Sequence, residues 1–96
     1  MTGPKIREVL VLYARKLTSM GIAPRRADAR KEYICMVAAE LQHAFWMVHE
    51  ADGFVERDEL EEAQRQLGFI QGILWTTGIC TIDEMREHND PHSSRA

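Results

Sequence analysis

Residues 34–78 read ICMVAAELQHAFWMVHEADGFVERDELEEAQRQLGFIQGILWTTG, and the periodicity of this stretch decides the fold. Ile34, Val37, Ala38, Leu41, Phe45 and Val48 fall within one arc of about 100° when successive residues are turned by 100°, which marks a helix with an apolar face. Beyond Asp52-Gly53, Leu60, Ala63, Leu67, Ile70 and Leu74 form a second stripe of the same period. Asp52-Gly53 is a strong turn signal, because glycine accepts positive φ and aspartate can bond its own nearby backbone. The expectation is an all-α protein built on a long antiparallel helical hairpin over residues 24–78. Helix two runs from about Pro24 to about Ala51, the chain reverses at Asp52-Gly53, and helix three spans about 56–77. Glu56, Glu59, Glu61 and Glu62 crowd the start of helix three, where the helix dipole favours anions.

Upstream of the hairpin, Ile6, Val9, Leu10, Tyr13, Leu17 and Met20 recur at helical spacing after Pro4, giving an N-terminal helix one. Gly21 suits the left-handed position past its end, Ile22 can fold back on the last turn, and Pro24 stops the same helix from continuing. Downstream, Gly78 is placed to end helix three. Thr81-Ile82-Asp83-Glu84 then matches a capping box that opens a short C-terminal helix over about 82–88, with Cys80 and Met85 spaced as its hydrophobic staple. Residues 1–88 thus read as one helical domain and residues 89–96 as a flexible polar tail.

The 96 residues are 45% hydrophobic and 28% charged, the balance of a globular chain with room for one core. No apolar run approaches the roughly 18 residues a membrane span needs, and no secretory signal opens the chain, so the expectation is a cytoplasmic protein with no membrane partner. Cys35 and Cys80 lack the spacing of a zinc site or redox motif and read as reduced, packed thiols. The net charge of −3 divides unevenly: residues 1–31 hold eight Lys/Arg against two acids, and residues 32–96 four against thirteen. Such asymmetry can guide a basic face toward an anionic partner or toward another subunit's acidic face.

Around Gly53 the chain imitates an EF-hand loop, but Val48 stands where the first oxygen ligand belongs, so the plainer account is a connector. Glu40 and His43 match one Glu-x-x-His element of di-iron bundles, but no second copy exists, and the pair reads as solvated or interfacial. His49, His88 and His92 read as surface histidines. No serine or cysteine lies in a nucleophile elbow and no phosphate-cradling glycine loop occurs, so the chain carries no catalytic signature, and no cofactor or metal is expected.

Two surfaces are better candidates for function. Arg25, Arg26, Arg30 and Lys31 fall in the first turns expected for helix two, where cations oppose the dipole, with Lys16 at the end of helix one. A solvated basic turn eased by Asp28 and Glu32 is one account; a site for phosphate-bearing ligands, either a nucleotide or single-stranded nucleic acid, is the other. On helix three, Gly68 and Gly72 lie four apart beside Phe69, Ile73 and Trp75, while Met36, Trp46 and Met47 sit opposite the core face of helix two. Two helices with surplus apolar surface suggest a self-interface, hence a homodimer.

The block Leu67-Gly68-Phe69-Ile70-Gln71-Gly72-Ile73-Leu74-Trp75, with Gly78 and Thr81-Ile82-Asp83-Glu84-Met85, resembles the C-terminal part of small helical proteins encoded by bacteriophages and prophages. The resemblance covers about a third of the chain and carries over no catalytic residue. It implies an accessory protein that binds and disables a host macromolecule, such as a component of CRISPR or another defence system.

Overall fold

The computed structural model describes residues 1–28 and 36–93, among which there are four helices and no strand. They are α1 (Gly3–Ser19), α2 (Val37–Glu56), α3 (Leu60–Thr76) and α4 (Ile82–Asn89). The α2/α3 hairpin makes the largest interhelical contact, and α1 packs on it. Ile6, Val9, Leu10, Tyr13 and Leu17 of α1 are buried against Leu41, Phe45 and Val48 of α2 and Ala63, Leu67, Ile70 and Leu74 of α3. The core stripes of helices one and three match the sequence expectation, except that Met20 is exposed and Leu60 only half-buried.

Three helices end in the same way. Past α1, Gly21 takes φ 77°, its N–H donates to the Thr18 carbonyl, and the Ile22 N–H donates to the Leu17 carbonyl. Past α3, Gly78 takes φ 78° with the equivalent bonds to Trp75 and Leu74. These are Schellman motifs, in which a left-handed residue turns the chain back on orphan carbonyls. The end of α2 has the same pair of bonds, Asp58 N–H to Val55 and Glu59 N–H to Phe54, but its left-handed residue is Asp58, at φ 59°. Aspartate is among the few non-glycine residues that enter this region readily.

The hairpin therefore reverses at Arg57-Asp58-Glu59 and not at Asp52-Gly53, which stay helical inside α2. Arg7 supplies a physical reason. Its guanidinium donates to Asp52 Oδ1 and to Glu56 Oε2, each at 2.8 Å. Those acceptors lie four residues apart, a spacing that a helix brings together as neighbours one turn apart on one face. The calcium-loop imitation around Gly53 is thus a piece of helix.

Helix two also begins later than expected. Pro24–28 is not helical; it runs as a strap across α2, with the Arg25 N–H donating to the Gln42 carbonyl and the Ala27 N–H to His43 Nδ1. The strap thereby gains partners for its amides, and Arg25 and Arg26 avoid the positive end of a helix dipole. Ile34 and Cys35 lie outside the described residues. At the start of α2, Met36 and Val37 are exposed, and Ala38 likewise, so the expected core face is internal only from Leu41 onward.

At the C-terminal end, Thr81 Oγ1 accepts from the Glu84 N–H and Glu84 Oε1 accepts from the Thr81 N–H, completing the capping box. Asn89, placed in the tail by the sequence reading, is the last residue of α4. Its side-chain amide exchanges two hydrogen bonds with that of Gln71 of α3. The carbonyl of Ser93 accepts from the Lys5 ammonium, so the described part of the tail folds back on α1.

Candidate interaction surfaces

The outer face of α3 presents Phe69 at 59% exposure and Trp75 at 54%, with Gly68 and Gly72 open between them. A Cβ added at either glycine would meet nothing within 4 Å. Internal packing therefore does not require these two glycines. Ile73 is half-buried at the edge of the same face.

The corresponding residues of α2 are placed differently. Met47 belongs to the core, because α2 is packed on one side by α1 and on another by α3, so its second apolar side is used within the subunit. Met47 is accordingly withdrawn from the expected self-interface. Trp46 is half-buried; the Arg26 guanidinium lies 5.0 Å from its ring centre and the His43 ring stacks on it at 5.6 Å. Met36 is exposed at the N-cap of α2.

The basic cluster is only partly assembled. Arg25 and Arg26 border a small cavity of about 240 Å³ together with Asp28, Ala39 and Gln42. Lys16 is exposed near the end of α1 and does not line it. Arg30 and Lys31 lie outside the described residues. The anion site expected from free N–H groups at a helix start is not formed at Arg25 and Ala27, whose amides are bonded to Gln42 and His43.

Two histidines read as exposed are internal. His43 is 8% exposed, and its Nδ1 accepts the Ala27 N–H at 3.1 Å. Burial first, and the nearby Arg26 second, hold its pKa below the ordinary histidine value, while Glu50 pulls the other way. A neutral imidazole is what the Ala27 bond requires, since a protonated Nδ1 would face a donor with a donor. His88 is buried with Nδ1 3.0 Å from the Tyr13 hydroxyl, which also accepts from Gln71 at 2.9 Å. The Tyr13 hydroxyl can either donate to His88 Nδ1 or accept from it, according to the His88 tautomer. Burial pushes the Tyr13 phenol up to about 12. The Glu-x-x-His spacing singled out His43 only as a metal-ligand candidate, and no spacing rule marked either histidine as internal; each bonds a partner distant in sequence.

Among the described residues, no group of three or more His, Cys, Asp or Glu is placed to hold a metal ion, and no helix is long and apolar enough to cross a membrane. Cys80 is a half-buried thiol whose pKa burial raises, followed by the effect of Glu84. No protein-family model, curated protein or solved structure matches this chain.

Proposed function

We propose that this chain is a non-enzymatic interaction protein that pairs with a second copy through the outer face of α3 and, so paired, binds a macromolecular partner. The observation that carries this reading is the pair Gly68 and Gly72. Each lowers helix stability by about 1 kcal/mol relative to alanine, yet among the described residues, the adjoining backbone of α3 aside, nothing comes within 4 Å of a Cβ added at either. Glycines four apart let another helix approach closely, and the exposed rings of Phe69 and Trp75 supply the apolar area such a contact buries.

The absence of enzymatic activity is supported by the state of the reactive groups. His43 Nδ1 is engaged by a backbone amide, and the Cys80 thiol is held protonated by burial. The resemblance to phage accessory proteins suggests the partner's class, a host component such as part of a defence system. A tagged protein is expected to enrich one host protein from lysate, and Phe69→Asp with Trp75→Asp to abolish its self-pairing. Failure of the wild type to enrich any host protein would overturn the target assignment. The alternative, a binder of phosphate-bearing ligands, retains the exposed Arg25 and Arg26 but loses the helix start on which it rested. Calorimetry with a nucleotide panel and a short oligonucleotide is expected to show no heat.

A further inference from the structure

The strap over residues 24–28 meets α2 through groups of different kinds, and one of them titrates near neutral pH. The Arg25 N–H donates to the Gln42 carbonyl, the Ala27 N–H donates to His43 Nδ1 at 3.1 Å, and the Arg26 guanidinium lies 5.0 Å from the centre of the Trp46 ring. Histidine is the side chain whose unperturbed charge change falls between about pH 5 and pH 8.

The bond to Ala27 lasts only while Nδ1 keeps its lone pair. Protonation there sets a donor against a donor, and turning the ring over puts Cδ2 in the place of Nδ1, so the bond is lost either way. The new charge also meets Arg26. His43 stacks on Trp46 with ring centres 5.6 Å apart, so an imidazolium is a second cation beside the ring that Arg26 already faces. His43 is built into α2, whereas the strap belongs to no helix, so the strap is the partner that can move away.

Charged groups reach His43 from two elements. The strap brings Arg26, which opposes its protonation, and Asp28, which lines the same cavity of about 340 Å³. Arg25, also on the strap, lines the neighbouring cavity with Gln42. From α2 comes Glu50, which favours protonation, with Glu40 one turn before His43. Gln66 and Phe69 of α3 complete the cavity wall and do not titrate, and α1 and α4 contribute no described residue to it. Burial and Arg26 outweigh Glu50, so His43 in the closed strap takes up its proton below the ordinary histidine value.

We propose that His43 is a proton-operated latch, whose protonation breaks the bond to Ala27 and releases the strap from α2 while the helices stay folded. Release also takes the Arg26 guanidinium away from Trp46. Since Trp46 and Phe69 line one cavity, the open apolar face of α3 then extends toward α2. The latch does not depend on pairing through that face.

The test is amide exchange by NMR on the full chain, with protection corrected for the pH dependence of intrinsic exchange. Opening that takes up one proton makes the protection of the Ala27 amide fall by up to about tenfold per pH unit below about 6.5. The Arg25 amide should fall in parallel, because the strap leaves as a unit. Both should stay far less protected than the amide of buried Leu10, the mark of a local opening. In His43→Asn, whose amide oxygen keeps an acceptor that does not titrate, protection of both amides should be flat with pH. The fall in the wild type should level off where the His43 ring titrates, and Glu50→Gln, which keeps an oxygen for Gln66, should carry both to lower pH together. Circular dichroism should be unchanged throughout. The proposal is overturned if the fall persists in His43→Asn, if Ala27 loses protection while Arg25 keeps it, or if both amides exchange only together with Leu10. A fall that levels off independently of the His43 titration would overturn it as well.

Discussion

His43 links a titration to the position of a whole segment. Its Nδ1 accepts the Ala27 N–H, and its pKa is lowered chiefly by burial. The unfolded chain therefore binds more protons than the folded one between the depressed folded value and the ordinary value of about 6.5. The stability contributed by neutral His43 is fully present above that value and is lost as pH falls through the depressed folded value. Thermal unfolding between pH 7.5 and 5 should show the midpoint falling with acidification. In His43→Asn, whose amide oxygen can stand in for Nδ1 without titrating, part of that slope should disappear; an unchanged slope would remove His43 from the account. Tyr13 gives a second check at this scale. Tyr13→Phe leaves buried His88 Nδ1 and Gln71 without their shared partner, and denaturant unfolding should show a loss of about 1–3 kcal/mol.

Among the elements, helix ends were legible where glycine marks them and hidden where another residue takes its place. Gly21 and Gly78 sit in left-handed positions as their context in the sequence suggests, whereas Asp58 performs the same task at the end of α2 without a compositional signal. The attractive Asp52-Gly53 pair drew the turn five residues too early. One clue was present in the sequence: Leu41, Phe45, Val48, Ala51 and Val55 keep a helical period straight through Gly53. The strap was not legible, because its hydrogen bonds go to Gln42 and His43, and local propensity carries no information about partners that distant. Asp58→Gly should relieve the left-handed strain and stabilise the fold by about 0.5–1 kcal/mol in urea unfolding. A loss of stability would mean that the Asp58 side chain contributes more than its backbone conformation costs.

The glycines of α3 belong to this scale as well. Since a Cβ added at either meets nothing within 4 Å among the described residues beyond the adjoining backbone of α3, Gly68→Ala and Gly72→Ala should each stabilise the isolated subunit by about 1 kcal/mol through helix propensity. Destabilisation by either would show that internal packing needs the glycine after all.

At the level of the whole molecule, the apolar surplus noticed in the sequence was real but unevenly placed. On the second apolar side of α2, Met47 is buried by packing between α1 and α3 and Trp46 is half-buried, while Met36, like Phe69 and Trp75 of α3, remains open. A sequence shows that a helix has two apolar sides; which of them stays uncovered depends on how many neighbours the fold supplies. The candidate self-interface thus loses Met47, and the described members of the basic cluster divide between a strap, with Arg25 and Arg26, and the end of α1, with Lys16. The most direct test of the α3 pairing is sedimentation equilibrium on the wild type and on the double variant Gly68→Leu, Gly72→Leu. Leucine is a good helix former, both positions are exposed, and a Cβ at either meets nothing within 4 Å among the described residues, so the variant should fold while its added bulk holds a second helix away. The expected result is a wild type at twice the 11.0 kDa chain mass and a variant at the monomer mass with unchanged helicity. A wild type that sediments as a monomer, or a variant that pairs as well as the wild type, would contradict it.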